Sequence, residues 1–219
     1  MQSRNKGFTL IELIVVISII SVLAGAAVVG VMSALSKSKK DTCQRLITAV
    51  QTAVEQFQQQ WGGEYPRVDL SLYSDNLEEA GVNGGIETCL LAIRTTKGGP
   101  YFPVESFQNS LANLDEDDAP NAYDYFAVQG ETALFELIDP WGNPLVYIPE
   151  GSYTESFEYQ TSDGEYVDVQ AQTLAKTGTY PQGYMIWSFG PNGVNENGKG
   201  DDITSWQKSD ADYESDWNN

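Results

Sequence analysis

From residue 8 to about residue 35 the chain carries one ionisable side chain, Glu12, in roughly 28 residues that are otherwise uncharged. About 20 apolar residues suffice to cross a hydrocarbon core as a helix, so this stretch reads as a membrane helix. A carboxylate inside such a helix costs on the order of 2.5 to 3.5 kcal/mol on insertion scales and calls for a partner. Arg4 and Lys6 do not supply one, because basic side chains at that position are stable at the water interface. A secretory signal peptide fits poorly: its apolar region is about 7 to 15 residues and ends at a small-residue cleavage site, whereas this one continues as an amphipathic helix. An ordinary signal anchor remains as the alternative, and in it Glu12 has no role.

Lys6-Gly7-Phe8-Thr9-Leu10-Ile11-Glu12 resembles the prepilin processing motif of type IV pilins and type II secretion pseudopilins. The resemblance implies that a prepilin peptidase cuts after Gly7 on the cytoplasmic side and that the new amino terminus, on Phe8, is N-methylated. It also gives Glu12 its partner, the terminal amine of Phe8 in a neighbouring subunit of a filament. Opposite charges in a low-dielectric bundle attract strongly and are costly to leave alone, so the pair favours one subunit step over others. Basic residues flank the helix on both sides, with Lys37, Lys39 and Lys40 after it. The charge rule for orientation is therefore ambiguous, and a cytoplasmic amino terminus rests on the resemblance.

The soluble remainder of the 219 residues is large enough for one domain with its own core. The formal net charge is -19, and loss of Arg4 and Lys6 with the leader makes it more negative still. Such a surface repels phosphates, and no nucleic-acid partner is expected. The chain contains no histidine, which removes the usual general base and the commonest zinc ligand. No spacing selects two of its many carboxylates as an acid and base pair, so no enzyme is expected. Cys43 and Cys89 follow the membrane segment, and in an oxidising compartment they form either a disulfide or two buried free thiols.

Beyond the membrane segment Cys43, Leu46, Ile47, Val50, Val54, Phe57 and Trp61 recur in steps of three and four, which marks one buried helical face. Gln44, Arg45, Gln51, Glu55, Gln58 and Gln59 cover the opposite side, and Gly62-Gly63 is a stop signal. Residues 8–61 thus predict one nearly continuous helix of ~80 Å at 1.5 Å per residue, with Gly25 and Gly30 as its weak points. Short helical pieces are expected over residues 75–80 and 85–94. The acidic run at residues 114–120 reads most simply as a solvated loop, with a second cation site as the lesser alternative.

Farther on, DPWGNPLVYIPEG begins at Asp139 with strong turn formers and continues as a strand over residues 145–148. A hairpin is expected at residues 157–160 and 165–169, turning on Asp163-Gly164. A buried strand follows at residues 184–189. The next stretch, SFGPNGVNENGKGDDITSW, gathers Asn192, Asn195, Glu196, Asn197, Asp201 and Asp202 on a glycine-rich loop. Hard oxygen ligands on such a loop suit calcium, although the EF-hand spacing is absent and a polar turn accounts for the pattern equally well.

The pair DPWGNP and SFGPNG...GDDITSW resembles the major pseudopilins of type II secretion, whose head ends in a calcium-binding loop. Carried over by position, the resemblance implies ligands from the side chains of Asn192, Asp201 and Asp202 and from the backbone oxygens of Phe189 and Val194. Asn stands at 192 where these proteins commonly have Asp. The resemblance covers residues 1–61 and 139–206; the segment between is longer than in those relatives.

The expected fold is α+β: a pilin fold with a long N-terminal helix, half membrane and half amphipathic, packed on a small antiparallel sheet. The expected parts are a removed leader at residues 1–7, a membrane and filament-core helix at 8–35, a periplasmic head at 36–206 and an acidic tail at 207–219. The function implied is a pseudopilin subunit of the bacterial inner membrane that polymerises into a periplasmic filament driving type II secretion. Its partners would be the prepilin peptidase, further copies of itself, minor pseudopilins, the inner-membrane assembly platform and the lipid bilayer. The alternatives are a type IV pilin of a surface fibre and, from a third class, a membrane-tethered binding protein or hydrolase.

Overall fold

A single helix, α1, occupies Leu10–Gln60. In this computed structural model the described residues are 10–77, 81–128, 132–174 and 176–206. The leader with Gly7 and Phe8, and the tail at 207–219, lie outside them. The chain divides into two units, Met1–Lys39 and Lys40–Asn219.

Within the first unit α1 is long and apolar enough to cross a membrane. Its hydroxyls satisfy themselves locally: Ser18 and Ser21 donate to the carbonyls of Ile14 and Ile17, each at 2.8 Å. Such back-bonding to the preceding turn removes the polar cost of a serine in an apolar helix.

Within the second unit the amphipathic half of α1 buries the stripe that its sequence spacing marks. Cys43, Leu46, Ile47, Val50, Val54 and Phe57 are all at or below 1% exposure, while Trp61 is half-buried. The helix ends where Gly62 and Gly63 adopt left-handed backbone and the Gly63 N–H donates to the Gln58 carbonyl at 2.9 Å. This is the closing geometry that glycine permits without a steric penalty.

Among the described residues the remainder includes α2 (Gly84–Arg94), α3 (Pro120–Phe126) and seven short strands: β1 (Leu111–Ala112), β2 (Glu136–Leu137), β3 (Val146–Pro149), β4 (Ser156–Gln160), β5 (Tyr166–Gln170), β6 (Tyr184–Ser188) and β7 (Ile203–Thr204). All pairings are antiparallel, but they form three small sheets, β1-β2, β3-β6-β7 and β4-β5, where the sequence suggests one. Pro149 ends β3 opposite Tyr184 and leads into a helical turn at Glu150–Ser152. Proline has no N–H with which to continue a ladder. The architecture is mixed α+β, a long N-terminal helix followed by small antiparallel sheets, and is consistent with the pilin fold.

The stripe of α1 shares one core with Tyr147, Ile148, Met185, Ile186 and Trp187 of β3 and β6. Polar contacts also fix the helix on the sheet: the Gln51 amide donates to the Ser205 carbonyl at 3.1 Å, and the Tyr184 hydroxyl reaches the Gln51 carbonyl and the Glu55 carboxylate, each at 3.4 Å. The disulfide alternative for Cys43 and Cys89 does not hold: both are buried free thiols. They have different neighbours. Cys43 meets the Ser188 hydroxyl, and burial pushes its thiol up to about 12. Cys89 sits on α2 within electrostatic reach of Tyr73 and Tyr147.

In the middle segment the helix expected at 85–94 forms, whereas residues 75–77 are turn and bend and 78–80 lie outside the described residues. Helix α2 enters the core tightly. A β-carbon on Gly85 would sit 2.5 Å from the Tyr147 carbonyl oxygen and 2.7 Å from the Tyr159 hydroxyl. Gly85→Ala is therefore expected to force α2 from β3 and to cost about 1–3 kcal/mol, as overpacking does. The readout is the denaturation midpoint of the full chain in detergent; an unchanged midpoint would show that this contact is loose.

Candidate functional site

The two C-terminal signatures, separated in sequence, meet at a buried serine. Asp139 Oδ1 accepts from the backbone N–H groups of Trp141 and Asn143 at 2.8 and 3.0 Å, which closes the DPWGN turn. Its other oxygen accepts from the Ser188 hydroxyl at 2.6 Å, and Ser188 Oγ in turn accepts from the Gly190 N–H at 3.0 Å. Burial holds the Asp139 carboxyl above its ordinary range, opposed by the Ser188 hydroxyl and the turn N–H groups. The start of the glycine-rich loop is thus tied to the DPWGN turn. Asn143 adds a further tie by accepting from both the N–H and the hydroxyl of Ser162, at 3.2 and 3.1 Å.

The loop between β6 and β7 sorts its six oxygen-bearing side chains into two roles. Asn195 and Asn197 stitch the loop to neighbouring elements. Asn195 Oδ1 accepts from the Trp187 indole at 3.1 Å and its amide donates to the Asp168 carbonyl at 3.1 Å, while Asn197 Oδ1 accepts from the Gln170 N–H at 3.0 Å. Asn192 is exposed, and its Oδ1 accepts from the Val194 N–H at 2.7 Å, an Asx turn.

The carboxylates do the opposite and converge. Glu196, Asp201 and Asp202 each place an oxygen within 4.8 Å of the others. Asp202 is 3% exposed, and its Oδ2 accepts from the N–H groups of Glu196 and Gly198 at 3.2 and 2.7 Å. Asp201 Oδ2 accepts from the Asn192 N–H at 3.2 Å, and its Oδ1 is buried with no hydrogen-bond partner. Glu196 Oε2 accepts from the Asp201 N–H at 2.8 Å. Two glycines make this folding back of the loop feasible. Gly190 and Gly200 both have left-handed backbone; a β-carbon on Gly190 would strike the Asp201 carbonyl, and one on Gly200 the Glu196 carboxylate.

Of the implied ligand set, the structure brings Asp201 and Asp202 together. It places the Asn192 side chain in its own turn instead, with Phe189 buried at the end of β6 and Val194 exposed on the loop. Glu196 joins the carboxylates although the resemblance does not point to it. The signal available in the sequence was Gly200, whose missing side chain leaves room for the Glu196 carboxylate. Chemically the cluster is an all-oxygen donor set of the kind that suits a hard divalent cation.

At the other end of the chain, Glu12 lies on the exposed surface of α1 near its described start. Residues 2–28 match the family described as the prokaryotic N-terminal methylation motif. No curated protein and no solved structure matches the chain. The match spans the expected leader, the expected cleavage position and the start of the apolar helix, and it supports a type IV pilin-like precursor. The motif implies processing by a prepilin peptidase and polymerisation into pilus-like filaments.

Asp202 bears on loop stability with or without metal. Asp202→Ala leaves two backbone donors of a buried turn unsatisfied and is expected to cost about 1–3 kcal/mol. Asp202→Asn keeps an acceptor and should cost less. Thermal unfolding of both variants in chelator separates the two, and equal losses would mean that the carboxylate does not organise the turn.

Proposed function

We propose that the chain is a structural pseudopilin: a prepilin peptidase removes residues 1–7, and the mature subunits polymerise into a periplasmic filament that drives type II protein secretion. The observation that carries the reading is the match of residues 2–28 to the N-terminal methylation motif, with Glu12 standing alone as the ionisable residue of the apolar helix. The choice of a pseudopilin over a pilin of a surface fibre is favoured by the C-terminal loop. Its carboxylates converge on a loop whose start is tied to the DPWGN turn, and both cysteines lie upstream of it as free thiols.

In this reading calcium binds the C-terminal loop through Glu196, Asp201 and Asp202. The cluster fits such an ion chemically, because Asp201 Oδ1 is a buried acceptor without a hydrogen-bond partner. Like charges this close repel, and a divalent cation removes that repulsion. A ligand held at a hundred times its dissociation constant adds about 2.7 kcal/mol to folding stability. Calcium is therefore expected to raise the melting temperature of the chelator-treated full chain. The part of that rise that Asp201→Ala and Asp202→Ala abolish belongs to this loop; a rise unaltered by both would place the metal elsewhere.

Deleting the gene tests the function itself. Exported proteins should then accumulate in the periplasm while surface fibres persist; loss of surface fibres with normal export would favour the pilin reading. Glu12→Ala should leave membrane insertion intact, since it removes a charge from the apolar segment. Assembly should fail, because the amine of the neighbouring subunit loses its partner. Filaments of normal length from this variant would refute the pairing.

A further inference from the structure

A second group of carboxylates meets inside the head, far from the C-terminal loop in sequence. Glu87 comes from the first turn of α2, Glu136 from β2, and Asp115 from the loop that follows β1. Each contributes an oxygen within 4.8 Å of the other two. Calcium holds its oxygen ligands at 2.3–2.6 Å, so two ligands on opposite sides of one ion are separated by about 5 Å. The group has the span of a coordination sphere.

Its burial distinguishes it from an acidic surface patch. Glu87 and Glu136 are both 0% exposed. Both carboxylate oxygens of Glu87, together with Oδ1 of Asp115 and Oδ1 of Asp117, are buried without a hydrogen-bond partner. Glu136 is held in place by surrounding donors: the Asn83 amide reaches its Oε1 at 2.9 Å, and the Leu114 N–H reaches Oε1 and Oε2 at 3.2 and 3.1 Å. The Asn113 amide donates to the Asp117 carbonyl at 2.8 Å and fixes the loop that carries both aspartates. Donors thus orient Glu136 while both oxygens of Glu87 and one oxygen each of Asp115 and Asp117 are left open, which is how outer partners arrange the ligands of a metal.

We propose that Glu87, Asp115, Asp117 and Glu136 form a buried binding site for a hard divalent cation, calcium by its chemistry, which ties α2 to β2 and to the loop after β1. The donor set is all oxygen and lacks the nitrogen and sulfur that select zinc or copper. Its several carboxylates suit calcium better than magnesium, which keeps several waters and demands octahedral geometry. Electrostatics agree with the geometry. Burial, reinforced by Asp117, Asp115 and Glu136, pushes Glu87 up to about 10, and burial likewise raises Asp117 and Glu136 to about 7. The charges that act most on Glu87 are all negative, and a cation among them removes that cost. The acidic run at residues 114–120 is accordingly not a solvated loop throughout: Asp115 and Asp117 turn inward, while Glu116 and Asp118 stay exposed.

The site is tested by equilibrium dialysis of radioactive calcium against the chelator-stripped full chain in detergent. The parent should bind two ions, and Asp201→Asn with Asp202→Asn should leave one. Adding Glu87→Gln to that pair should leave none, and Glu87→Gln alone should leave one. Asp115→Asn, at a half-exposed position, keeps the test open if the Glu87 variant does not fold. In the Asp201 and Asp202 background it should weaken the remaining ion at least tenfold with an unchanged near-ultraviolet dichroism spectrum. Calcium binding that neither Glu87→Gln nor Asp115→Asn alters would overturn the proposal and leave shared protons as the content of the cluster. If the C-terminal loop binds no calcium, the parent should bind one ion, lost with Glu87→Gln and indifferent to Asp201 and Asp202.

Discussion

The head depends on the burial of one helical stripe. Cys43, Leu46, Ile47, Val50, Val54 and Phe57 put an unbroken apolar face against β3 and β6, and these strands are too short to be stable without such a face. Fully burying side chains of this size stabilises by about 1.5–3 kcal/mol each relative to exposure. With the helix fixed on the sheet through Gln51, Ser205 and Tyr184, the strand β6 delivers Ser188 to Asp139 and so anchors the glycine-rich loop.

The chain's strong negative charge has a particular consequence inside this fold. A net charge of -19 with 12 basic residues leaves few cations to neutralise buried acids. Among the described residues carboxylates meet in two places, one at the C-terminal loop and one between α2, β2 and the loop after β1. In the first, backbone N–H groups take up much of the charge. In the second, both oxygens of Glu87 and Oδ1 of Asp115 and of Asp117 have no such donor, and the cost of burial must be met by protons or by a bound cation.

What the sequence made legible was periodic or local. The steps of three and four from Cys43 to Phe57, the Asp163-Gly164 turn and the apolar run at β6 each specify an element through nearest neighbours, and each forms close to its expected bounds. The Asn192 side chain turns back to the Val194 N–H, a local hydrogen bond that position in a motif does not reveal. Glu196, Glu87 and Glu136 were not legible as partners, since what joins them is tertiary approach across loops. The two cysteines show the same limit: both are buried in one core, yet Cys43 faces Ser188.

The central claim is that this chain is made as a pilin-like precursor whose apolar helix is kept after processing. Mass spectrometry of the protein from native membranes tests it directly. The account predicts a mature chain that begins at Phe8 and carries an N-terminal methyl group, and that remains the full precursor when the prepilin peptidase is absent. A chain that retains residues 1–7 in peptidase-proficient cells, or one cut beyond residue 35 with the apolar helix removed, would contradict it.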